Sequence, residues 1–84
     1  MDTSNILVVD DNPEIREIIE ILLTDEGFTI FQAKDGATAL ALVKEHDFDL
    51  IILDIMMPGI NGYQTCIEIR KTSNAPILFL SART

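Results

Sequence analysis

Two aspartates stand side by side at Asp10-Asp11, and a third stands at Asp54. Each follows a short apolar run, Ile6-Leu7-Val8-Val9 in the first case and Leu50-Ile51-Ile52-Leu53 in the second. Runs this short and this aliphatic read as strands buried on both faces. A carboxylate at the end of such a strand sits where the sheet meets solvent, and in open α/β sheets that rim is where ligands bind. Three carboxylates on one rim repel one another unless a cation or a shared proton compensates. Hard oxygen donors with no histidine beside them suit Mg²⁺, which keeps several waters and is commonly shared with a phosphate oxygen. A carboxylate so placed can also act as a nucleophile and carry an aspartyl phosphate.

Two further groups fall at the same rim. Ser81 follows the apolar run Ile77-Leu78-Phe79-Leu80, and its hydroxyl can donate to a phosphoryl oxygen. Met56 lies just past Asp54 in Met56-Met57-Pro58-Gly59, where a backbone carbonyl can complete a metal shell. The blander reading makes each acid a helix cap or a loop acid. Taken singly, Asp10 or Asp11 fits that reading well, because a cap is needed before Pro13 in any case. Convergence of three acids on one rim favours the metal. His46, at the end of a helical stretch, reads as a surface residue. Cys66 reads as a small core residue, the usual place for a free thiol.

The elements that must position these groups alternate along the chain. Ile6 to Val9 reads as strand one. Asn12-Pro13 opens a helix, with Asn as cap and Pro preset for the first turn. Ile15, Ile18, Ile19, Leu22 and Leu23 recur at helical spacing as one buried stripe, and Gly27 is placed to end the helix. Phe28 to Ala33 reads as strand two. Asp35 caps a second helix whose inward stripe is Ala37, Leu40 and Ala41. Leu50 to Leu53 is strand three. Asn61-Gly62 leads into a third helix with Tyr63, Cys66, Ile67 and Ile69 inward, and Ile77 to Leu80 is strand four. Alternating strands and helices imply a parallel α/β sheet with right-handed crossovers. Strand two, with Thr29 and Gln32, is the most polar and suits an edge, which favours the order 2-1-3-4 and sets strand one beside strand three.

Length and composition bound the rest. Eighty-four residues make one domain at most, and 48% hydrophobic content with 6% aromatics calls for a mainly aliphatic core. A formal charge of −8 argues against direct nucleic-acid binding. One cysteine excludes an internal disulfide. The N-terminus carries no basic, apolar signal pattern, and no run approaches the ~20 residues of a membrane span, so a cytoplasmic protein is expected.

These residues together resemble the receiver domain of bacterial two-component response regulators. The matching stretches are Leu7-Val8-Val9-Asp10-Asp11, Asp35-Gly36 with Ala39-Leu40, Asp49 through Gly59, Asn61-Gly62, and Pro76 through Ala82. The resemblance implies a three-layer flavodoxin-like fold in which residues 1–84 form an incomplete receiver. It implies Asp54 as phosphoacceptor, Mg²⁺ held by Asp11, Asp54 and the main-chain carbonyl of Met56, Asp10 acting through water, and Ser81 as switch hydroxyl. The implied donor is a phosphohistidine on a sensor histidine kinase. The implied chemistry is at most self-phosphorylation and autodephosphorylation, not turnover of a substrate.

The departure from the family is at the end of the chain. Thr84 falls after strand four, so the family's fourth helix, fifth strand and fifth helix are not in this sequence, nor is the Lys that the family carries on strand five. Strand four then becomes an apolar edge, and either self-association through it or a place within a longer protein is expected. The main alternative is a truncated receiver-like interaction module that binds partners without phosphoryl transfer. A phosphatase of the aspartyl-nucleophile type fits less well, because the second Asp expected two residues past Asp54 is Met56. A flavin carrier lacks the Ser/Thr/Gly-rich loop expected after strand one.

Overall fold

The computed structural model describes residues 4–55 and 62–80. Within them the order is β1 (Asn5–Val9), α1 (Pro13–Asp25), β2 (Thr29–Ala33), α2 (Gly36–Glu45), β3 (Leu50–Asp54), α3 (Gly62–Arg70) and β4 (Ile77–Leu80). The four strands form one parallel sheet in the order β2-β1-β3-β4, as strand polarity predicts. This is the flavodoxin-like strand order that the resemblance implies.

Strand alternation divides the core into two layers. Leu7, Val9, Ile51 and Leu53 face α2 and α3, where Ala39, Val43 and Ile69 meet them. Ile6, Val8 and Ile52 face α1, where Ile19 and Leu23 cover them. All of β1 from Ile6 onward and β3 from Ile51 onward is buried, as apolar runs covered by helices on both faces require.

Local signals set the helix ends. The Asn12 side chain accepts from the Glu14 N–H, and Pro13 opens α1. Gly27 ends it at φ 97°, a left-handed conformation that glycine adopts without steric cost, while the Phe28 N–H donates back to the Leu23 carbonyl. Asp35 caps α2 by accepting from the Thr38 N–H, a bond that holds its carboxyl below the ordinary 3.8.

The helix faces depart from expectation. In α1 only Ile19 and Leu23 of the expected stripe pack on the sheet, while Ile18 and Leu22 are 54% and 63% exposed and Ile15 is also exposed. The helix lies over β1 and β2, so the far half of its apolar arc meets no described element. In α2 the buried residues are Gly36, Ala39 and Val43, with Leu40 partly covered, and Ala37 and Ala41 face solvent. In α3 they are Gly62, Thr65 and Ile69, with Cys66 partly covered against the core. Tyr63 and Ile67 are exposed, contrary to expectation, although the Tyr63 ring lies 5.4 Å from that of Phe79. Gly62 lets α3 start against the end of β3, where an added Cβ would fall 2.5 Å from the Asp54 carbonyl oxygen, and that start sets which later residues of α3 point inward. His46 is exposed as expected, with its ring 4.6 Å from Phe31.

Candidate functional site

The register of the sheet builds the site. β1 and β3 pair with Val9 opposite Leu53, so Asp10 and Asp54 are the next residues on adjacent strands. Neighbouring strands lie about 4.8 Å apart, which brings the two residues side by side at the carboxyl rim. Both are buried, at 6% and 4% exposure, whereas Asp11 is exposed. A continuing strand would send Asp10 and Asp11 to opposite faces. β1 ends at Val9, however, and the chain is already turning at Asp11. Asp10, Asp11 and Asp54 each bring a carboxylate oxygen to one place, all within 4.8 Å of one another.

Hydrogen bonds fix the corner from which the acids project. The Asp10 N–H donates to the Ala33 carbonyl of β2 at 3.1 Å, and the Asn12 N–H donates to Asp10 Oδ1 at 2.9 Å. The Asp10 carbonyl accepts from Arg16 Nη1 at 2.6 Å. On the β3 side, the Gly62 N–H donates to the Ile55 carbonyl at 3.0 Å, which ties the start of α3 to the residue after Asp54.

Burial raises the Asp10 carboxyl above its ordinary 3.8. The Asn12 N–H opposes that rise, and the charges of Asp54 and Asp11 add to it. A buried carboxylate crowded by two others is an electrostatic cost that a divalent cation removes. The donor set fits Mg²⁺: three hard oxygens from three side chains, with Asp11 open to solvent so that waters can complete the shell.

Of the residues named from sequence, the structure brings Asp10, Asp11 and Asp54 together. Met56 and Ser81 lie outside the described residues, as does the Met57-Pro58-Gly59 turn. Sequence reading missed Arg16 and Gly62 as supports of the site. The Asn61-Gly62 pair signals a turn, but nothing local shows what Gly62 touches.

Comparisons with known proteins agree with this geometry. A family model for the response regulator receiver domain matches residues 6–84. The chain is 56% identical over 79 residues to the uncharacterized transcriptional regulatory protein YrkP of Bacillus subtilis (strain 168), a match covering 94% of this chain and 34% of that protein. The response regulator protein TrrA from Thermotoga maritima, solved in complex with Mg²⁺-BeF, matches with a TM-score of 0.90 at 44% identity, covering 98% of this chain and 72% of that one. TrrA solved in complex with the histidine kinase ThkA matches with a TM-score of 0.89, at the same identity and coverage. The chain spans about a third of the length of the curated relatives it matches.

Proposed function

The chain belongs to the response regulator receiver domains of two-component systems, and from that membership we propose that it accepts a phosphoryl group on Asp54 from the phosphohistidine of a sensor histidine kinase, with Mg²⁺ as cofactor. The observation that carries this reading is the meeting of three carboxylate oxygens within 4.8 Å at the ends of β1 and β3. Asp10, Asp11 and Asp54 would hold the cation, whose charge would offset that of the phosphoryl oxygens. A carboxylate oxygen of Asp54 attacks phosphorus. The P–N bond to the imidazole breaks, the ring nitrogen keeps that electron pair, and an acyl phosphate remains on Asp54. Burial of Asp54 limits water at the nucleophile, and the Gly62–Ile55 hydrogen bond steadies the backbone beside it. The family assigns a further metal ligand to the Met56 carbonyl and a phosphoryl contact to the Ser81 hydroxyl. A cytoplasmic location and the lack of direct nucleic-acid contact belong to the same proposal; among the described residues no helix is long and apolar enough to cross a membrane.

Incubation with Mg²⁺ and a small phosphodonor, followed by intact-mass measurement, tests the reading. One phosphoryl group is expected on the wild-type chain and none on Asp54→Asn. An unmodified wild type, or equal modification of the variant, would refute it.

A second reading, an interaction module without phosphoryl transfer, draws support from the outer position of β4 among the described residues, where Leu78 is 53% exposed. An apolar edge strand is a template for pairing with another chain. Self-association of the 84-residue chain through β4 is therefore expected as a rise in sedimentation coefficient with concentration, suppressed by Leu78→Lys. A monomer at high micromolar concentration argues against it.

A further inference from the structure

A chain of side-chain hydrogen bonds runs from the acidic corner to the side of α1. Arg16 Nη1 donates to the Asp10 carbonyl at 2.6 Å, and Arg16 Nε donates to Gln32 Oε1 at 2.9 Å. Gln32 Nε2 donates in turn to Glu20 Oε1 at 2.6 Å. All three side chains are half-buried, so each bond is shielded from competing water. Glu20 holds the amide of Gln32 in the orientation that presents its oxygen to Arg16. Gln32, on β2 opposite Val8 in register, then holds the guanidinium in the plane that reaches Asp10. A planar fork with several fixed donors is needed to bridge two acceptors in this way.

We infer that Arg16, held by Gln32 and Glu20, is a positioning residue that sets the β1–α1 corner so that Asp10 and Asp11 point at one cation. This rests on the Mg²⁺ reading of the site. The Asp10 peptide is pinned at its N–H by Ala33, at its carboxylate by Asn12 and at its carbonyl by Arg16. The Asn12 bond spans Asp11 through the Asp10 side chain, whereas the Arg16 bond holds the carbonyl of the Asp10–Asp11 peptide itself. Loss of Arg16 frees the Asp10–Asp11 peptide to rotate, and the two carboxylates no longer converge. Groups that orient metal ligands in this way typically change affinity by about 10–100-fold when removed.

The sign of the effect separates positioning from charge. Arg16 is a cation near a cation site, so through charge alone its removal would tighten Mg²⁺ binding. Through positioning, its removal weakens binding. The test titrates Mg²⁺ against wild type, Arg16→Met, Arg16→Lys, Gln32→Glu and the double variant Gln32→Glu/Glu20→Gln, following amide NMR signals. Arg16→Met is expected to raise Kd by about tenfold or more, to shift the Asp11 and Asn12 amides without metal, and to leave core amides such as Val8 and Ile52 in place. Arg16→Lys recovers part of the affinity. Gln32→Glu faces Glu20 with a second carboxylate and weakens binding. The double variant restores it, because the hydrogen bond between the two side chains re-forms with its polarity reversed, the amide now on α1 and the carboxylate on β2. An Arg16→Met Kd equal to or below that of wild type overturns the inference while leaving the Mg²⁺ site standing. Failure of the wild type to bind Mg²⁺ overturns the functional reading first.

Discussion

Without divalent cation, Asp10→Asn is expected to melt at a higher temperature than the wild-type chain. Asp10 and Asp54 are buried neighbours, and Asp11 adds a third charge within 4.8 Å. Two unit charges at that spacing repel by about 3.5 kcal/mol at an effective dielectric of about 20, and solvent around the exposed Asp11 screens its share. Asparagine keeps an oxygen for the Asn12 N–H, so the corner bond survives. A net gain of about 1–3 kcal/mol follows, or at least ~4 °C in Tm for a domain of this size.

The pH dependence has a definite sign. Burial lifts the folded-state carboxyl of Asp10 above the unfolded 3.8. Between those two values the folded chain holds a proton that the unfolded chain has released. The associated stability is fully present below 3.8, falls as pH rises through the window, and is gone above the folded value. Metal-free wild type therefore loses stability on this account as pH rises from about 4, and Asp10→Asn flattens that slope. Asp35 acts in the opposite sense and lower on the scale, since its cap bond is lost as pH falls below 3.8. On the proposed Mg²⁺ site, saturating cation is expected to invert the ranking at neutral pH. Free cation at about 1,000 times Kd adds about 4.1 kcal/mol to the wild type, roughly 15–30 °C in Tm. Asp10→Asn gains much less, and chelation restores the metal-free order in which the variant is the more stable. Scanning calorimetry of both chains with Mg²⁺ and with chelator decides the matter; equal responses to Mg²⁺ would remove Asp10 from the site.

Gly62→Ala is expected to be the most damaging single-methyl change in the described chain. A Cβ at this position would fall 2.5 Å from the Asp54 carbonyl oxygen and 2.5 Å from Ile55 Cα. Both neighbours are backbone, so relief requires α3 to move away from β3 or the end of β3 to distort. Overpacking of this kind costs about 3 kcal/mol, or roughly 10–20 °C in Tm. Gly27→Ala makes the useful contrast. Gly27 has nothing within 4 Å of such a Cβ, and only its positive φ resists the change, at about 1 kcal/mol. Gly62→Ala should also weaken Mg²⁺ binding, because the displaced backbone carries Asp54, whereas Gly27→Ala should leave affinity unchanged. Urea unfolding and Mg²⁺ titration of the two variants separate these effects. Equal losses at both positions would show that the close approach at Gly62 is not what demands glycine.

The order of elements, their types and the location of the acids at the strand ends were legible in the chain. Those properties rest on local chemistry: aliphatic runs of strand length, Asn12-Pro13 and Asp35 as caps, Gly27 as stop, and the polar Thr29 and Gln32 that consign β2 to an edge. The acidic trio followed from the same signals, because a strand order that sets β1 beside β3 brings their carboxyl ends to one rim, and the Val9–Leu53 register then sets Asp10 beside Asp54. The helix faces did not follow. Ile18 and Leu22 share the spacing of Ile19 and Leu23, and only the position of α1 over β1 and β2 leaves the first two exposed. Ile67 is as apolar as Ile69, yet the close approach of Gly62 to β3 turns Thr65 inward and leaves Tyr63 and Ile67 exposed. Tertiary structure also decided that Asp10 is buried and Asp11 open, since the chain bends one residue past the strand. It alone revealed Arg16 and Gly62 as supports, because their partners Gln32, Asp54 and Ile55 come from other elements. Periodicity and caps are properties of neighbours in sequence, whereas burial and support depend on which distant backbone arrives within a few ångströms.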